Sequence, residues 1–142
     1  VTAIASIVGA IVAALSAGTP VSAHIFRARV RPVPDEATNA VAVRPVSALP
    51  DRSDIGGAPV DFTTNIAVEC YARSATTSPD LAVDALLESV YARLMADASL
   101  GGLVMDLNLT GIDFNFDADA LQSGSATLTF AVRHRTSSTT LT

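Results

Sequence analysis

Residues 60–94 read VDFTTNIAVECYARSATTSPDLAVDALLESVYARL, and their order decides the fold. Over Val60–Arg73 the chain alternates. Phe62, Thr64, Ile66, Val68 and Cys70 fall on one face, and Thr63, Asn65, Glu69 and Arg73 on the other. A period of two, rich in β-branched and aromatic residues, marks a strand with one buried face. Ser78 then stands at a helix cap, with Pro79 at the first helical position and Asp80 beside the positive end of the helix dipole. Leu81, Leu86, Leu87, Val90 and Leu94 predict the buried stripe of that helix, with Asp84 and Glu88 facing outward. Gly101 and Gly102 close the turn after it.

Downstream, Leu103–Asp117 reads as a strand with a phase change. Leu103, Met105, Leu107 and Leu109 are in step, and Gly111 then shifts the pattern to Ile112, Phe114 and Phe116, which predicts a bulge or bend at the glycine. A turn over Leu121–Gly124 leads into a return strand, Ala126–His134, with Leu128, Phe130 and Val132 inward. Residues 136–142 are polar and read as a flexible C-terminal arm.

Upstream, His24–Arg31 alternates, with Phe26, Ala28 and Val30 opposite Arg27, Arg29 and Arg31, and ends at Pro32 and Pro34. Ala40–Arg44 makes a short strand halted by Pro45. Residues 45–59 are expected to form a mobile loop, since Ala48–Pro59 holds two prolines, two glycines and three charges. Before these strands, Val1–Ala17 is almost wholly apolar, and Ile4, Ile7, Val8, Ile11 and Leu15 recur at helical spacing. The other side of this helix carries Ser6, Gly9, Ala10, Ala13 and Ser16, all small and uncharged. Val21-Ser22-Ala23 resembles a signal-peptidase site, but a secretory signal wants a basic region ahead of its apolar run. The run also stops at Gly18-Thr19-Pro20, short of the roughly 20 residues a spanning helix needs. A packed, partly interfacial helix is favoured over a signal or membrane segment. The expectation is one α+β domain over residues 1–142, a mixed or antiparallel sheet packed against helices in the order α-β-β-β-α-β-β.

Composition narrows the function classes. At 142 residues, 49% hydrophobic and 16% charged, the chain can bury its own core and is not a disordered segment. All nine basic residues are arginine and the net charge is −5, which argues against a nucleic-acid binder held by phosphate contacts. The single cysteine, Cys70, cannot form an internal disulfide.

No constellation carries chemistry. Asp113-x-Asn115-x-Asp117 begins like a calcium loop, but Ala118 stands where the turn glycine belongs and Gly124 where the bidentate glutamate belongs. His24 and His134 have no partner at ligand spacing, so no metal site is expected. Cys70 lies on the apolar face of its strand and reads as a small buried hydrophobe. Gly56-Gly57 lacks the spacing and lysine of a phosphate loop, and no nucleophile elbow occurs. Asn108-Leu109-Thr110 would be a glycosylation acceptor only in a secreted chain. The Arg27, Arg29 and Arg31 row is expected to pair with Asp61 or Glu69 across strands, or with a neighbouring subunit, ahead of an anionic ligand. No cofactor and no enzymatic activity are expected.

Taken together, the chain resembles the tail terminator (tail completion) family of long-tailed non-contractile bacteriophages and gene transfer agents. The resemblance is carried by the short first helix, Ile25-Phe26-Arg27-Ala28-Arg29, Ala48-Leu49-Pro50, and Asn65–Ala72. The helix Leu81–Leu94 follows, with the step Asp97-Ala98-Ser99-Leu100-Gly101-Gly102, and Ala126–Val132 completes the pattern. The charge-free first helix departs from the family pattern and leaves its packing partner open. What the resemblance implies is a structural virion protein at the head-proximal end of the tail, assembled in the host cytoplasm. It implies a hexameric ring of the chain with itself that caps the tail tube protein and ends tube polymerisation. The ring would meet a head–tail connector or stopper protein, with DNA passing through without specific binding and no membrane contact. On that reading Ser6, Gly9, Ala10, Ala13, Arg27, Arg29, Arg31 and Glu69 are candidate subunit-interface residues. Asp51, Arg52, Asp54, Arg133 and Arg135 are candidate contacts to tube or connector. Two alternatives remain: another head–tail joining protein, or an exported binding domain released at His24.

Overall fold

In the computed structural model, which describes residues 1–28, 38–51, 57–117 and 123–142, the sheet is built around Val60–Arg73. Its elements are α1 (Ala3–Ser16), β1 (Ile25–Arg27), β2 (Asn39–Asp51), β3 (Val60–Arg73), α2 (Pro79–Met95), β4 (Asp106–Asp117) and β5 (Ser123–Thr136). The five strands lie in the order β1-β2-β3-β5-β4. β1 pairs with β2 in parallel, and every other pair is antiparallel. The class is α+β, with the element order read from the sequence.

β3 pairs along its whole length with β5, from Val60↔Thr136 to Arg73↔Ser123. Because paired residues point to the same side, Thr64, Ile66, Val68 and Cys70 share one buried face with Ala126, Leu128, Phe130 and Val132. Both helices cover that face. Ile7, Val8, Ile11 and Leu15 of α1 and Val83, Leu86, Val90 and Leu94 of α2 join these strand residues in one core. All eight of these helix side chains are buried, five of them with no exposed surface, each contributing about 1.5–3 kcal/mol relative to exposure. Among the described residues, no helix lies on the opposite side of the sheet.

Helix termini explain how the layers lock. The Thr2 hydroxyl accepts from the Ala5 N–H at 3.1 Å, and the Leu141 carbonyl accepts from the Ala3 N–H at 2.7 Å. α1 has no basic residue in its last turn, and α2 supplies a cation to the carbonyls in and just after that turn. Arg93 Nη1 donates to Ala14 O (3.0 Å) and Ala17 O (2.7 Å), and Arg93 Nη2 to Thr19 O (2.7 Å). After α2, Asp97 accepts from the Ser99 hydroxyl (2.8 Å) and the Gly101 N–H (2.7 Å), which holds its carboxyl below the usual range. Leu100, Gly101 and Gly102 then take successive positive φ values of 50°, 72° and 89°, so glycines serve at the two steepest positions. The Asp97–Gly102 step is therefore a turn with a built-in anchor.

Several boundaries differ from expectation. β1 ends early because Ala28 turns into the left-handed region at φ 47°; residues 29–31, expected to continue it, lie outside the described residues. Pro45 does not halt β2, which runs on to Asp51, so the expected loop over residues 45–59 is strand in its first part. A register shift between Pro45 and Ser47 absorbs the proline. β1 pairs only with Val41–Val43, so this stretch of β2 is an edge, where a missing N–H is tolerated. β5 begins at Ser123, which puts Gly124 in a strand, not a turn. β4 starts at Asp106, with the register shift between Leu109 and Gly111 that the phase change predicts. In α2, Leu81 points outward and Val83 takes its place in the buried stripe, two residues being about 200° around a helix. Ser78 occupies the cap position without bonding the backbone; it bonds the Asp80 carboxylate and holds that carboxyl low. Thr136 ends β5, and beyond it the tail turns on Ser137–Thr140 bonds and lies against the start of α1 instead of hanging free.

Candidate assembly surfaces

The sheet has two open margins. At one, α1 lies over β1 and β2. Arg27 leaves β1 on the helix-covered side, and its Nη2 donates to Ala5 O at 2.6 Å. A Cβ on Gly9 would sit 3.2 Å from Arg27 Nη1, so the glycine gives the guanidinium room to lie on the helix. Arg27 and Gly9, both expected at a subunit interface, are thus in contact within one subunit. Ser6 and Ala13 are exposed beside them, and Ala10 is half-buried. The expected pairing of Arg27 with Asp61 or Glu69 does not occur. Arg29 and Arg31 lie outside the described residues.

At the other margin, the edge strand β4 leaves large apolar side chains uncovered. Ile112, Phe114 and Phe116 pair with Leu128, Ala126 and Gly124, so they stand on the helix-covered side of the sheet. Yet they are 36%, 55% and 49% exposed. Phe114 and Phe116 stack at 6.1 Å. Leu103 and Met105, just ahead of the strand, are exposed as well. The sequence pattern indicated their common face correctly. It could not indicate that the helices leave them partly uncovered, which depends on tertiary placement.

The uncovered side of the sheet is polar and lightly paired. Arg44 Nε meets Glu69 Oε1 at 3.1 Å, and Arg135 Nε meets Asp61 Oδ1 at 2.7 Å. The Arg135 bond, with the charge of Arg133 nearby, holds the Asp61 carboxyl below its usual range. A shallow cleft of about 330 Å³ crosses this side, floored by Ala40, Ala42, Ser125 and Thr127 and flanked by Tyr71 and Asp113. Of the expected tube or connector contacts, Arg133 and Arg135 are exposed near the end of β5. Asp51 is exposed at the end of β2, in register with Asp61. Arg52 and Asp54 lie outside the described residues. The structure brings Asp51, Arg133 and Arg135 to one end of the sheet and keeps them apart from the α1 residues.

Two titratable groups are buried. Burial pushes the Cys70 thiol up to about 12, which leaves it unreactive. His134 stacks on Phe62 at 5.7 Å, and its Nε2 shares a hydrogen bond with the Thr64 hydroxyl at 2.7 Å. Burial lowers its pKa. Among the described residues no group of three or more His, Cys, Asp or Glu side chains could hold a metal, and no helix is long and apolar enough to cross a membrane. Asp113 and Asn115 stand exposed on β4, paired with Thr127 and Ser125 of β5.

No curated protein sequence matches the chain. Its fold is similar to a chain from the virion of a native gene transfer agent particle, with a TM-score of 0.57 and 16% identity. The likeness covers 94% of this chain and 98% of that one. Residues 4–134 match the family described as phage minor tail protein U, a span running from the first turn of α1 to His134. The chain belongs to the phage minor tail protein U family and is a structural protein of the tail.

Proposed function

We propose that the chain is a tail terminator: copies assemble into a closed ring, in the hexameric form common to such proteins, that caps the tail tube and ends its polymerisation. The observation that carries the reading is the pair of dissimilar open margins on one sheet, within a family of tail proteins. A head-to-tail contact uses two different patches per subunit, and rotation that closes on itself makes the assembly finite. Finite assembly is the property a cap needs. The remaining surfaces, chiefly the end of the sheet with Asp51, Arg133 and Arg135, face the tube protein on one side and a head–tail connector on the other. DNA passes through the ring without base-specific contacts, in keeping with the net charge of −5.

The test is light scattering of the purified chain, alone and with its tail-tube protein. A multimer that forms or tightens on tube ends and blocks their elongation is expected. A chain that stays monomeric and leaves tube growth unchanged would overturn the reading and leave a connector or stopper role to examine.

A further inference from the structure

Of the eleven large hydrophobic side chains exposed on the described surface, five fall between Leu103 and Phe116, at the β4 margin. The twelve-residue edge strand β4 has no proline, lysine or arginine to block pairing, and past its bulge at Gly111 it presents an apolar row. We propose that the β4 margin, through Ile112, Phe114 and Phe116, docks on the α1–β1 margin of a second copy of this chain, head to tail. The proposal rests on the ring reading and names its subunit contact.

Two observations select that occupant. First, both surfaces lie on the same side of the sheet at its opposite margins, so a copy placed alongside brings its α1 over the uncovered Ile112, Phe114 and Phe116. This would extend the helical layer over the exposed part of β4, and it gives the charge-free outward side of α1 something apolar to meet. Second, the strand directions fit. β1 runs with β2, β2 and β5 oppose β3, and β4 opposes β5. β4 therefore opposes β1, and a neighbour that keeps its strand direction presents an antiparallel edge, the better-bonded arrangement. The two margins differ, so the contact is heterologous and each copy keeps one of each margin for the next.

The experiment measures mass by light scattering for the wild-type chain and for a Phe114→Glu/Phe116→Glu variant, with circular dichroism as the folding control. Alongside, Ala13→Cys and Phe114→Cys single variants are mixed and treated with a short bismaleimide. Their sites lie near opposite margins, four strand spacings or roughly 19 Å apart. Buried Cys70 stays silent. The expected result is a wild-type multimer, loss of that multimer to monomer in the double-Glu variant, and cross-linked dimers in the mixture only. Should the double-Glu variant misfold, the cross-link decides. A wild-type ring with no cross-link, or one unaffected by the two glutamates in a folded variant, overturns this contact and leaves the ring standing. A wild-type chain monomeric with and without tube overturns both.

Discussion

Arg93 shows how one side chain can hold two elements together. The carbonyls of Ala14, Ala17 and Thr19 lie in and just after the last turn of α1, and one guanidinium reaches all three where an ammonium could not span the set. Arg93→Met should lower stability by roughly 1–2 kcal/mol, allowing for partial exposure. Thermal unfolding followed by circular dichroism checks it, with Arg93→Lys expected to recover only part of the loss. His134 sets a second residue-level expectation. Its folded pKa is depressed, so below the ordinary value of 6.5 the unfolded chain binds the proton that the folded chain refuses. Stability is therefore full above that value and declines as pH falls from it toward the lower folded value. The urea midpoint should drop between pH 7.5 and 5.5, and His134→Gln should flatten that dependence. Asp61 acts the same way only in the more acidic range below 3.8.

At the scale of elements, close approach of α2 to the sheet depends on Gly124. A Cβ there would lie 2.7 Å from the Pro79 carbonyl oxygen and 3.2 Å from Phe116 Cδ1. Since a backbone atom cannot swing aside, Gly124→Ala should force the start of α2 away from β5 and cost roughly 1–3 kcal/mol. Its urea unfolding midpoint should fall accordingly, while Gly18→Ala, with open space around it, should show only the cost of its positive φ. Gly124 also marks where sequence reading stops. As an isolated glycine next to serines it reads as a turn, and only the packed helix reveals its place in a strand. β3 was legible to the residue because its alternation is uninterrupted and its face is buried. The phase change at Gly111 was legible because a bulge must leave a slipped period. β2 beyond Pro45 was not, since edge tolerance for proline depends on which strand lies alongside. Likewise Leu81 carries the right chemistry for a core position and the wrong angular one. The candidate surfaces divide in the same way: the charge-free side of α1 is visible in its residues, whereas the exposure of Phe114 and Phe116 follows from how the helices are placed over the sheet.

For the whole molecule, the margins that would join copies and the sheet end that would meet other tail proteins are separate, and this separation can be tested. Arg133 and Arg135 project from the end of β5 beside Asp61 and Asp51; Arg133 pairs with Asp106 at the start of β4, at the opposite end of that strand from Phe114 and Phe116. The Arg135–Asp61 pair is exposed, and pairs of that kind contribute about 1 kcal/mol or less. An Arg133→Glu/Arg135→Glu chain should accordingly fold and unfold close to wild type and keep its multimeric mass. If this end of the sheet engages tube or connector, the same chain should bind tube ends at least roughly tenfold more weakly, since like charges replace complementary ones at a contact surface. Elongation assays with tail-tube protein, run beside light scattering, separate the two properties. Loss of capping with mass intact assigns this end to the contact. Intact capping would place the contact elsewhere on the ring, and loss of mass would mean that assembly and capping share one surface.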